Sequence, residues 1–171
     1  MMLFALFLII GLFCLLLEGT ILSSISLFSI LPNLTLVVVV CTGLLLGDRR
    51  GRFLGLILGL LQDLFFAGVI GYYGLIFYLL GYFSGLFRGR IQEDNLLFPL
   101  VFCFLSDLFY GFLQYFIYRF FKGDLFLGFY FVNRILPEAI YTSLIFFLVF
   151  LILRGIARLL GRFSKGKEAL V

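Results

Sequence analysis

DRRGRFLGLILGLLQDLFFAGVIGYYGLIFYLLGYFSG, residues 48 to 85, carries the plan of this chain. A cationic cluster (Arg49, Arg50, Arg52) opens it, and an apolar run broken by one acid, Asp63, follows. The chain turns at Ala67-Gly68, and a second apolar run leads back to Arg88 and Arg90. Two apolar runs with cations at both outer ends predict a membrane helical hairpin whose ends share the positive side. Gly51, Gly55 and Gly59 recur every four residues, with Asp63 as the next step. Gly71, Gly74, Tyr78, Gly81 and Gly85 repeat at three and four. Small residues at helical spacing let membrane helices approach closely, since lipid supplies no hydrophobic drive for association. This places Asp63 against a neighbouring helix and away from lipid.

The whole chain agrees with that plan. Of its 171 residues 64% are hydrophobic and 13% charged, and the mean hydropathy of +1.22 excludes an ordinary soluble globule. The net charge of +4 reads as membrane topology, and no nucleic-acid partner is indicated. Cys14, Cys41 and Cys103 share no motif, so neither a disulfide framework nor a metal site is expected. With no histidine, imidazole chemistry is closed to the chain, and no cofactor is indicated.

Residues 2 to 22 are long enough to cross a hydrocarbon core of about 30 Å. No cation precedes Arg49, so this segment is read as a retained helix and not as a signal peptide. The Ser-rich stretch 23 to 29 is read as an interfacial connection, and Pro32 as the start of a second helix ending near Gly47. The run Val37 to Val40 would suit a strand in water, but a lone strand in a bilayer leaves its backbone unpaired, so helix is expected. The hairpin supplies helices three and four, and residues 95 to 118 the fifth. Residues 119 to 133 read as an interfacial loop or short amphipathic helix. The sixth helix starts at Arg134 or Pro137, runs to about Leu153 and continues as a basic tail.

The prediction is an all-α integral membrane protein: a bundle of six transmembrane helices, forming a single domain over 1–160, with a short basic cytoplasmic tail over 161–171. Arg49, Arg50, Arg52, Arg88, Arg90, Arg154, Arg158, Arg162, Lys165 and Lys167 fall on one side, ten of the thirteen cations. The positive-inside rule then places both termini in the cytoplasm. These arginines form a cytoplasmic rim suited to anionic lipid headgroups, with a cytoplasmic protein as the other candidate.

Under this topology Glu18, Asp63 and Glu138 occupy the outer half of the bilayer, with Asn33 at the same depth and Arg134 one turn from Glu138. Asp107 and Gln114 belong to a polar stripe on the fifth helix, with Cys103 and Gly111. Intramembrane acids are functional candidates by default. Two readings stand: a polar site for a ligand or partner, or a structural network in which Arg134 or Arg119 neutralises the acids. The glycines Gly51, Gly55, Gly59, Gly71, Gly74, Gly81 and Gly85 likewise serve either internal helix packing or a partner's docking face. Paired aspartates raise an intramembrane hydrolase, since two carboxylates can activate water. A lipoprotein signal peptidase is similar in length, yet it has four spans and Asn-rich motifs, whereas Gln62-Asp63 and Ser106-Asp107 lack them. No enzymatic activity is expected.

In order, Pro32-Asn33-Leu34, the turn Asp48-Arg49-Arg50-Gly51, Gly55, Gly59, Gln62-Asp63, Gly71 and Gly74 resemble MreD, the rod shape-determining membrane protein of bacteria. Arg88-Gly89-Arg90, Asp94-Asn95 and Leu136-Pro137-Glu138 extend the resemblance over about residues 3 to 160. It implies a non-catalytic multi-pass component of the cell-elongation machinery in the bacterial inner membrane. Its implied partners are MreC, a single-span protein with a large outer domain, the MreB filament and the RodA–penicillin-binding-protein synthase. The family also resembles in fold the S components of energy-coupling-factor transporters, whose implied alternative is a vitamin-binding transporter subunit.

Overall fold

The computed structural model describes residues 2–24, 31–66, 70–90, 96–118 and 127–168, and no strand occurs among them. The helices are α1 (Met2–Ser24), α2 (Leu34–Leu46), α3 (Asp48–Phe66), α4 (Tyr72–Leu86), α5 (Leu97–Tyr118), α6 (Leu127–Tyr130) and α7 (Leu136–Glu168). A 3₁₀ turn, Arg88–Arg90, follows α4, and a π-helical turn, Phe131–Ile135, joins α6 to α7. Among the described residues three spans are long and apolar enough to cross a membrane: Met2–Thr20, Leu97–Phe116 and Gly128–Leu159. Leu34–Leu46 and Tyr72–Leu86 are apolar but shorter. The expected turn at Ala67-Gly68 and residues 119 to 126 lie outside the described residues, as do most of the Ser-rich connection and Asp94-Asn95.

The bundle is built around α2. Every residue from Thr35 to Leu44 is buried, and α1, α3, α4, α5 and α7 all pack against it. The sequence explains this, because the helix carries no charged side chain on any face. A helix that is apolar all round has no solvent side and belongs in an interior. At 13 residues α2 spans only about 20 Å. It begins at Leu34, with Asn33 as its cap, two residues later than the proline reading placed it.

The most extensive contact among the described elements joins α3 to α4. Outward faces are apolar instead of polar. Ile9, Phe13 and Leu16 of α1, Leu105 and Phe109 of α5, and Leu144, Leu148 and Ile152 of α7 are exposed large hydrophobics. Such continuous apolar exposure fits acyl chains as solvent and would aggregate in water.

The last helix differs most from expectation. Of the two readings for residues 119 to 133, residues 127 to 133 take the helical one, but they are continuous with α7 through the π turn. Pro137 is the physical reason. Proline has no N–H for the carbonyl four residues back and its ring crowds that carbonyl. The ladder shifts by one residue, so the Leu136 N–H bonds Phe131 O, five residues back. The helix then runs on past Leu153 to Glu168, carrying Arg154, Arg158 and Arg162 with it.

Candidate functional site

A helix beginning inside a bundle exposes N–H groups that no preceding turn accepts. In α2 these are met from three sides. Asn33 Oδ1 accepts from the Leu36 N–H at 2.9 Å. Glu18 reaches across from α1: its Oε1 accepts from the Thr35 N–H at 2.8 Å and its Oε2 from the Thr35 hydroxyl at 2.7 Å. The Asn33 N–H itself donates to Thr142 Oγ1 of α7 at 3.2 Å. At the other end of α2, the Arg88 guanidinium donates to Leu46 O at 3.4 Å. The buried helix thus has a carboxylate at its N-terminus and a guanidinium at its C-terminus, both complementary to its dipole.

The start of α4 repeats the device. Asp63, near the end of α3 and 1% exposed, accepts from the Tyr73 N–H through Oδ1 at 2.8 Å. Its Oδ2 accepts from the N–H groups of Gly71 and Gly74 at 3.0 and 2.9 Å. Gly71 is the cap residue at φ +99°, a conformation that glycine adopts without strain, and a Cβ there would meet nothing within 4 Å.

Both carboxylates therefore take backbone amides and a hydroxyl as counter-groups. For Glu18 and Asp63 these partners differ from the arginines expected for the acids, while Arg134 acts on Glu138 one turn away. Arg134 is exposed, its guanidinium 6.0 Å from the Tyr130 ring centroid, and Arg119 lies outside the described residues. A carboxylate on the preceding helix answers the orphan donors at the start of the next one and is itself solvated by them, so no cation is needed.

The remaining polar residues are dispersed. Gln114 Nε2 donates to the Tyr73 hydroxyl at 3.2 Å, and the Tyr73 ring packs beside Tyr110 at 6.1 Å between centroids. Glu138 is half-buried in the first turn of α7. Asp107, in the middle of α5, is 2% exposed, and neither of its oxygens has a hydrogen-bond partner. Among the described residues no three His, Cys, Asp or Glu side chains converge as a metal site. Thr35 and Thr142 join this network without any sequence motif that marks them; only the Asn33 cap carried a local signal.

The glycines line the seam between α3 and α4. A Cβ on Gly51 would overlap Gly81 O and meet Gly43 Cα at 2.7 Å; on Gly59 it would meet Gly74 Cα at 2.6 Å. A Cβ on Gly55 would overlap the Phe77 carbonyl, one on Gly81 the Gly51 carbonyl, and one on Gly85 the Asp48 backbone. A Cβ on Gly74 would come nearest to the Leu60 side chain and Asp63 Oδ2, at 3.0–3.4 Å.

Asn33 beside Thr142 sets the start of α2 against the start of α7, so their C-termini point the same way. Arg88, Arg154 and Arg158 therefore gather at one end of the bundle, with Arg49, Arg50 and Arg52 at the start of α3. Glu18, Asp63 and Glu138 lie toward the other end. A helical bundle with apolar outer faces, cations at one end and two of its acids, Glu18 and Asp63, spent on helix starts is a membrane protein. Over residues 1–160 the sequence matches the family described as rod shape-determining protein MreD. The chain belongs to that family, whose role is rod shape determination. No curated protein and no solved structure matches it significantly.

Proposed function

We propose that this chain is a non-catalytic, multi-pass scaffold of the bacterial rod-elongation complex, controlling cell shape and lateral peptidoglycan synthesis. The observation that carries this reading is the family match over residues 1–160. All six helical units cross the inner membrane: α1, α2, α3, α4, α5 and the continuous α6–α7 rod. Both termini lie in the cytoplasm, in an architecture like that of the transporter S components. The arginine end faces anionic headgroups of the inner leaflet. The partner is an MreC-like single-span protein bound through membrane helices and short outer loops. The MreB filament and the RodA–penicillin-binding-protein synthase are held through the same assembly. Since the α3–α4 seam occupies the glycine ladders, partner contact falls on apolar faces that remain exposed.

Affinity purification in mild detergent tests this reading. A single-span protein with a large outer domain should co-purify, and depletion of the chain should make rod-shaped cells round. Recovery of an ATPase with a second membrane subunit, together with intact rod growth and lost vitamin uptake, would replace the scaffold with a transporter subunit.

The orientation has its own test. In a background lacking Cys14, Cys41 and Cys103, single cysteines at Gly89 and Gly166 should resist a membrane-impermeant thiol reagent in intact cells. One at Gly123 should react. Labelling at Gly89 would reverse the assignment of every loop.

A further inference from the structure

Asp107 differs from Glu18 and Asp63 in that no helix start serves it. Glu18 and Asp63 each rest on the N–H groups of a helix start, where the dipole supplies roughly half a positive charge. Asp107 sits mid-helix, 2% exposed, with both oxygens unpartnered. An ionised carboxylate held this way in a protein interior is costly unless something pairs with it.

The surroundings are rich in oxygen. Gly111 of α5 packs on Ile135, and the two helices run antiparallel. Four residues back along α5 therefore corresponds to four residues forward along the partner, which brings Asp107 level with Ala139, flanked by Glu138 and Thr142. The Thr142 hydroxyl lies beside the carboxyl. Glu18 and Glu138 are both within electrostatic reach. Ser106, Ser143 and Thr42 direct their hydroxyls into their own helix carbonyls and do not compete for Asp107.

The geometry points to a monovalent alkali-cation site in the α5–α7 seam, with Asp107 Oδ1 and Oδ2 and Thr142 Oγ1 as ligands and Glu138 adding negative potential. Carboxylate and hydroxyl oxygens are hard donors and select hard cations over soft metals. Charge sets the valence. One unbalanced carboxylate calls for one positive charge, and the described residues do not assemble the carboxylate-rich oxygen cage that a calcium ion takes. The site bridges α5 to α7, and Thr142 also holds the start of α2, so occupancy would fasten three helices together.

The test is thermal unfolding of the purified full-length chain in detergent, in sodium, potassium or N-methylglucamine chloride at equal ionic strength. An alkali cation should raise the Tm by roughly 5–10 °C over N-methylglucamine, saturably, as binding to the native state alone requires. Asp107→Asn should abolish the difference between salts. Glu138→Gln, at a half-buried position, should raise the half-saturating cation concentration several-fold, and it serves if the Asp107 variant does not fold. Equal melting in all three salts would overturn the site, leaving a carboxyl that holds a proton in place of a cation. A salt-specific shift that persists in Asp107→Asn would overturn it too, because the cation would then be bound elsewhere.

Discussion

Asp63→Leu should strip the bundle of a large share of its stability, with a loss of at least about 3 kcal/mol. The substitution leaves the N–H groups of Gly71, Tyr73 and Gly74 without acceptors, and each orphaned buried donor costs about 1–3 kcal/mol. Net stabilities of single domains are only about 5–15 kcal/mol, so little folded protein should survive extraction. Asp63→Asn should fall between Leu and the parent. It keeps one acceptor oxygen, but its amide nitrogen can only donate and so faces an N–H with another. The sequence alone suggests a milder asparagine, because it shows an acid without showing that both oxygens accept. Melting of detergent-solubilised variants should rank parent above Asn above Leu. An asparagine variant indistinguishable from the parent would show that the second oxygen contributes nothing.

Gly81→Leu should be at least as damaging, for a steric reason. A Cβ alone at Gly81 would overlap the Gly51 carbonyl and stand 3.0 Å from the Arg52 nitrogen, and these are backbone atoms that cannot rotate away. Gly43 of α2 lies against the same crossing, so α2, α3 and α4 would all have to separate. Overpacking in a tight interior costs about 1–3 kcal/mol for modest insertions, and a leucine here is more than modest. The expected result is loss of a monodisperse peak in size-exclusion chromatography. Gly155→Leu is the control, since a Cβ there meets nothing within 4 Å. A Gly81→Leu protein that stayed folded and lost only its partner would return the glycine ladder to the role of docking face. The described packing argues against that outcome.

Much of the architecture was legible in the chain. Apolar runs, clustered cations and glycine spacing specify helices in a membrane, because a bilayer leaves a lone segment no other way to pair its backbone. The order of short motifs around Asn33, Asp63, Gly71 and Pro137 pointed to the family that the match over residues 1–160 shows. That Asp63 avoids lipid also followed from its place on the glycine ladder.

Other matters were settled only in three dimensions. The residues 48 to 85 drew attention by their regularity, yet the centre of the bundle is α2, the plainest segment in the sequence. Periodicity reports a helix with two unlike faces and says nothing when every face is buried. Glu18 and Asp63 looked like charges awaiting a cation, whereas each holds the first turn of a helix that follows it. A carboxylate's partners here are backbone N–H groups, which every residue but proline carries, so no side-chain pattern can announce them. Arg134 or Pro137 read as a helix start, and Pro137 marks a register shift inside a longer helix, because the local rule forbids one hydrogen bond while the surrounding helix supplies another. Composition and spacing fix what each segment must avoid in lipid. Which donor meets which acceptor depends on how helices distant in sequence come to lie side by side.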